Sequence, residues 1–140
     1  MKCVLDTNVV VAAMRSPTGA SAALLMAARR SELTMLANVA LALEYEATCQ
    51  LAEHRLAAGL DLRQVGIFID AVLATVEPVE THFMWRPQLR DPADELVLEA
   101  AVNGQAAAIV TFNRRDFGKV PGQFGVELLI PAEAIRRIRT

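Results

Sequence analysis

Four acidic residues, far apart in the chain, stand where side chains could do chemistry. They are Asp6 in V-L-D-T-N, Glu44 in L-A-L-E-Y, Asp94 in D-P-A-D-E and Asp116 in T-F-N-R-R-D-F. Each falls where a strand hands over to a helix or where a helix looks inward. Carboxylates beside apolar runs repel one another and lose hydration unless a cation neutralises them. Such a set is the pattern of a divalent-metal site, and metal-dependent phosphodiester hydrolysis is the leading expectation. His54 and His82 have no second histidine at ligand spacing. All-carboxylate ligation favours Mg²⁺ or Mn²⁺ over Zn²⁺.

Each acid also has a plainer reading. Asp6 directly follows an apolar strand and would serve equally as a helix N-cap. Glu44 is more telling. At roughly 100° per residue, Glu46, Gln50, Glu53 and His54 form one polar stripe. Glu44 falls opposite, with Ala40, Leu41, Ala47, Thr48 and Leu51. A lone inward glutamate is expensive unless paired. Asp91 before Pro92 reads as a structural N-cap with proline at the first helical position. Glu95 and Glu99, spaced i and i+4, are expected to point outward with Asn103, and Asp94 inward beside Val97, Leu98 and Ala101. Asp116 alone is a loop acid beside two arginines; only its place at the edge shared with Asp6 raises it.

The elements that must position these groups alternate along the chain. Strands are expected at Lys2–Leu5, Leu33–Leu36, Thr75–Val79, Ala107–Thr111 and Glu127–Ile130. Helices are expected from Asp6-Thr7-Asn8 to Met14, over Ala20–Arg30, from Val39 (capped by Asn38) to Ala58, from Asp61 to Leu73, from Asp91 to Asn103, and over Pro131–Arg139. The stretch from Thr81 to Arg90, which holds the one tryptophan, has no period and reads as a loop. Strand–helix alternation predicts an α/β fold with a parallel sheet covered on both faces. Sites in such sheets form beyond the carboxyl ends of the strands, where Asp6 and the segment after Thr111 both fall.

At 140 residues the chain is expected to be one domain, spanning 1–140. Its 54% apolar and 21% charged residues exclude disorder, and a net charge of −2 sets up no global basic field for nucleic acid. Arginines do gather at Arg29-Arg30, Arg114-Arg115 and Arg136-Arg137-Arg139. An acidic centre with basic flanks suits a phosphate backbone laid across a metal. Arginines at helix ends, favourable to the helix dipole, explain any single cluster equally well. Cys3 and Cys49 read as small core residues of a reduced compartment. No signal peptide is expected, because Asp6 interrupts the apolar start, and no apolar run is long enough to span a bilayer. These features predict a cytoplasmic protein with no membrane association.

Taken together the segments resemble the PIN-domain family, of the kind found as the toxin of bacterial and archaeal toxin–antitoxin pairs (VapC-like). The resemblance runs through Val4-Leu5-Asp6-Thr7-Asn8-Val9, Pro17-Thr18-Gly19-Ala20-Ser21 and Leu43-Glu44-Tyr45-Glu46. It continues through Asp91-Pro92-Ala93-Asp94-Glu95 and Ile109-Val110-Thr111 to Asn113-Arg114-Arg115-Asp116-Phe117. It implies a three-layer α/β/α sandwich with a central parallel sheet, acting as a Mg²⁺- or Mn²⁺-dependent ribonuclease. By motif, Asp6, Glu44, Asp94 and Asp116 would be the catalytic and metal-binding acids. Thr7, Asn8, Thr111 and Asn113 would be the hydrogen-bonding groups around them, and Arg114 and Arg115 the contacts to the RNA backbone. Many relatives carry T-G-D after the fourth strand, whereas Asn113 stands here where that acid would be. Either Asp116 fills the role or the site holds three acids.

Two other readings compete. Asp6-Thr7-Asn8-Val9-Val10 faintly resembles the start of an aspartate-nucleophile phosphatase, but Asn8 replaces the second acid of that motif, and Lys119 is the one late lysine. A non-catalytic PIN-like module that binds RNA or protein is the other. A partner is expected in either case. Leu41, Leu51, Leu56, Leu60, Val65, Phe68 and Ile69 offer more apolar surface than two helices need, which a homodimer or an antitoxin segment would cover.

Overall fold

A computed structural model describes residues 1–82 and 88–140. The part of the expected Thr81–Arg90 loop that includes Trp85 lies outside the described residues. Five strands form one sheet: β1 (Lys2–Leu5), β2 (Thr34–Ala37), β3 (Val76–Pro78), β4 (Ala108–Val110) and β5 (Glu127–Leu129). Their order is β3-β2-β1-β4-β5, and all four pairings are parallel. A parallel neighbour can be reached only by a crossover, so helices flank the sheet. Burial in the central strands confirms it. Cys3, Val4 and Leu5 are all buried, as are Ala108, Ile109 and Val110, although successive side chains point to opposite faces. Both faces are therefore covered, as the α/β expectation required.

The crossovers are α1 (Thr7–Arg15) and α2 (Ala20–Arg29); then α3 (Val39–Gln50), α4 (Ala52–Ala57) and α5 (Leu62–Ala74); then α6 (Pro92–Asn103). Two single-turn helices, α7 (Arg114–Phe117) and α8 (Val120–Gln123), precede β5, and α9 (Pro131–Arg139) ends the chain. The caps expected from sequence form. Asn38 Oδ1 accepts the Leu41 amide at 2.8 Å, and its Nδ2 donates to the Leu96 carbonyl at 3.3 Å, which ties α3 to α6. Asp61 and Gln64 close a reciprocal capping box on α5. Asp91 accepts the Ala93 amide at 2.9 Å ahead of Pro92.

Four local expectations need correction. The helix expected over 39–58 is two helices, because Leu51 is extended (φ −58, ψ 136) and its carbonyl starts a new turn by accepting the His54 and Arg55 amides. No proline or glycine marks this break. It lets α4 pack on α1, so His54 leaves the expected polar stripe. Glu95 and Glu99 are buried, not outward. Glu95 accepts the backbone amides of Gln88 and Leu89, so a non-periodic segment covers a face that spacing alone assigns to solvent. The acidic side of α3 also differs: the core stripe is Leu41, Tyr45 and Cys49, while Ala40, Ala47 and Leu51 are exposed. Finally, Asp116 stands on α7 and not in a loop. Both cysteines are free and buried as expected, and burial pushes the thiol of Cys3 up to about 12 and that of Cys49 to about 11.

Gly104 ends α6 against β2. A Cβ there would lie 2.8 Å from Leu36 Cδ1, 2.9 Å from Val79 Cγ2 and 2.9 Å from the Ala100 carbonyl. Gly104→Ala is therefore expected to destabilise the fold by about 1–3 kcal/mol through overpacking. Chemical denaturation would measure it. An unchanged midpoint would show that the α6–β2 contact is looser than these distances require.

Candidate active site

The strand order reverses direction at β1: β2 and β3 build out on one side of it, β4 and β5 on the other. A crevice opens beyond the carboxyl ends at such a switch. The chain crosses it in register, since the Asp6 amide donates to the Val110 carbonyl and the Thr111 amide to the Leu129 carbonyl, both at 2.9 Å. Asp6 occupies the N-cap position of α1, yet its side chain makes no cap hydrogen bond. Instead Oδ2 accepts from Thr111 Oγ1 at 2.7 Å. That hydroxyl in turn accepts the Asn113 amide at 2.9 Å, so its proton is directed at the carboxylate.

Glu44 reaches the same crevice from α3. Its neighbour Tyr45, fully buried, donates its hydroxyl to the Leu5 carbonyl. That contact pins α3 to the end of β1, one residue before Asp6. Asp94 arrives in the first turn of α6, and Asp116 on α7. All four acids line one cavity of about 580 Å³ together with Thr7, Asn8 and Asn113. Thr111 sits just behind, wholly buried. Two expected groups fall elsewhere. Arg115 lines an adjoining cavity, and Arg114 turns toward α9, where Nη1 meets Glu133 Oε1 at 2.9 Å.

Other lining residues carry no site role in the sequence reading, which makes Asp91 a structural cap and puts His54 on a polar stripe. Asp91 caps α6 and also lines the cavity, so it adds a fifth carboxylate. Arg15 and His54 line it as well, with Arg15 Nη1 3.4 Å from His54 Nδ1. Spacing could not find that pair, because it depends on the unmarked break at Leu51. Phe112 lies in the wall with its ring half exposed.

The electrostatics follow from crowding like charges. Burial raises the Asp6 carboxyl, the Thr111 hydroxyl and the backbone amide of Thr7 pull it back, and Asp116 and Asp91 raise it further. Glu44 is raised by burial, then by Asp6 and Asp91. Asp94 is pushed up to about 6 by burial, with Asp6, Asp91, Asp116 and Glu44 adding to it. Among the described residues, no three of these carboxylates converge on one point; they ring the cavity. The donor set still fits a divalent cation. It is all oxygen and net negative, and Glu44 Oε2, Asn8 Oδ1 and Thr7 Oγ1 are buried without a hydrogen-bond partner. Asp6, Glu44, Asp94 and Asp116 are the groups that could hold it.

Comparison with known proteins agrees with this architecture. The PIN-domain family profile matches residues 2–115. The chain belongs to the PIN-domain family. In fold it is VapC-like: the crystal structure of VapBC2 from Rickettsia felis, bound to a DNA fragment from its promoter, superposes with a TM-score of 0.64. The match covers 91% of this chain and 97% of that one at 17% identity, a likeness of fold. No curated protein sequence matches.

Because Asp94 is raised when folded, its protonated form favours the folded state. That contribution is present below the ordinary value of 3.8 and is lost as pH rises through about 6. Asp94→Asn is therefore expected to raise the melting temperature of metal-free protein at pH 8 and to change it little at pH 4. Thermal unfolding in EDTA at the two pH values is the check. A lower melting temperature for the variant at pH 8 would mean that the carboxylate stabilises the fold through a partner other than a cation.

Proposed function

We propose that this PIN-domain protein is a Mg²⁺- or Mn²⁺-dependent ribonuclease that hydrolyses RNA phosphodiester bonds and serves as the toxin of a toxin–antitoxin pair. The observation that carries the proposal is the meeting of Asp6, Glu44, Asp94 and Asp116 in one cavity at the carboxyl edge of the sheet. Three of them are raised in pKa by burial and by one another. Family membership supports nuclease chemistry, and the VapBC2 likeness supports the toxin assignment.

A divalent ion held by these carboxylates would supply positive charge for the phosphate and a Lewis acid for hydrolysis. The protein's own groups have separable tasks. Thr111 fixes the rotamer of Asp6 through the 2.7 Å bond, so one ligand is set before anything binds. Glu44 leaves one buried oxygen unpartnered and is the group available to take a proton from an attacking water. Asn8 and Asn113, neutral at the same wall, orient polar ligands without adding repulsion. Residues 1–140 would form one domain of the active protein, working in the cytoplasm.

A partner surface accompanies the site. Val39, Leu43, Leu51 and Leu56 are each more than half exposed. They extend along α3 and α4, whereas Leu41, Val65 and Ile69 of the expected apolar excess are core. A second copy of the chain in a homodimer, or the cognate antitoxin, would cover that face. Among the described residues, no single helix is long and apolar enough to cross a membrane.

Incubating an RNA pool with purified protein in EDTA, Mg²⁺ or Mn²⁺, beside Asp6→Asn and Asp94→Asn, tests the enzyme. Cleavage that requires metal and falls by at least about a hundredfold in both variants is expected, in line with removing a principal electrostatic contact. Metal-bound, folded protein that leaves RNA intact would favour the binding-module reading, and products that survive both changes would show that cleavage does not use this site. The scarcity of converging carboxylates and Asn113 at the acid's place already lend that reading some weight.

A further inference from the structure

A second cavity of about 460 Å³ adjoins the acidic one. Asp91, Asp94 and Asp116 line both cavities and so form the partition between them. The far wall has the opposite sign: Arg90, Arg115 and Lys119 line only the second cavity. Among the described residues, none of these three is in an ion pair, whereas the neighbouring Arg114 is bound to Glu133. The backbone builds this wall. Gly118 closes α7 at φ 55 and ψ −131, a conformation that side chains disfavour. The turn it permits sets Arg115 before it and Lys119 after it on one cavity.

We infer that this pocket is a subsite for the RNA phosphate next to the scissile one, and that Arg90, Arg115 and Lys119 hold it. The inference rests on the ribonuclease reading and adds residues to it. A backbone crossing the partition would place one phosphate among the carboxylates, where a cation is needed, and its neighbour among fixed cations, where none is. This alternation lets a chain with net charge −2 bind a polyanion locally without a basic surface overall. It also separates two adjacent arginines: Arg115 belongs to the substrate, Arg114 to the α7–α9 contact.

Fluorescence anisotropy with a labelled single-stranded RNA oligonucleotide tests it in the Asp6→Asn background, where binding is read without cleavage. Arg115→Gln and Lys119→Gln are each expected to weaken binding several-fold. Each should also flatten the plot of log affinity against log salt by about 0.7, the value for removing one phosphate interaction on a single strand. Arg90→Gln should act in the same direction, and Arg114→Gln should leave the slope unchanged. Asp94→Asn provides a second background should Asp6→Asn fold poorly. RNA bound with the parental slope by the Arg115 and Lys119 variants would overturn the subsite and leave the nuclease standing. Oligonucleotide that binds neither background would overturn both.

Discussion

The hydrogen bond from Thr111 Oγ1 to Asp6 Oδ2 joins the ends of the two central strands where the sheet reverses its order. Only 8% of Asp6 is exposed, so its charge has little water to rely on. The ladder bond from its own amide to Val110 and the bond from Thr111 to its side chain hold it from both sides. Once Asp6 is fixed there, every later acid that reaches the crevice meets an existing negative charge. Burial first, and then the charge of Asp6, push the Asp94 carboxyl up to about 6. The fold retains a mutually repulsive group of side chains that packing alone would not favour. Repulsion maintained at the expense of stability is a mark of a site with work to do.

Tyr45 carries the same constraint into the helices. Its ring is fully buried and its hydroxyl bonds the Leu5 carbonyl, the last residue of β1. The next side chain back along α3 is Glu44. One aromatic anchor thus fixes the distance from α3 to the strand end and delivers a second carboxylate to the first. Asn38 supports it by capping α3 and by bonding the Leu96 carbonyl on α6, the helix that bears Asp94. Three elements far apart in sequence are locked to each other through polar contacts that do not involve the carboxylates themselves. The carboxylates of Glu44 and Asp94 are therefore not needed to hold these elements together.

The parallel sheet was legible because its strands are nearly continuous apolar runs, the pattern of strands covered on both faces. Asp6 was legible because it directly follows such a run, and Thr111 because it ends one and matches the family motif. Glu44 was placed in the crevice, although the helical face assigned to it was partly wrong: Ala40, Ala47 and Leu51 lie in solvent, and Glu44 stands between that surface and the Leu41–Tyr45–Cys49 stripe. Periodicity reports which positions share a face, and it cannot report what lies over that face. Glu95 and Glu99 illustrate the limit. Their spacing is that of a solvated pair, yet the Gln88 and Leu89 amides meet Glu95 from a segment without any period.

The break at Leu51 shows the same limit from the other side. Local chemistry there favours continuing the helix, since neither glycine nor proline interrupts it. Packing of α4 on α1 overrides that preference and carries His54 to the cavity beside Arg15. Arg15 lines the acidic cavity, and Arg90, Arg115 and Lys119 line the cavity that shares Asp91, Asp94 and Asp116 with it. A polyphosphate chain would meet fixed cations beside these carboxylates, and a metal ion held among the carboxylates would favour its binding through electrostatics alone.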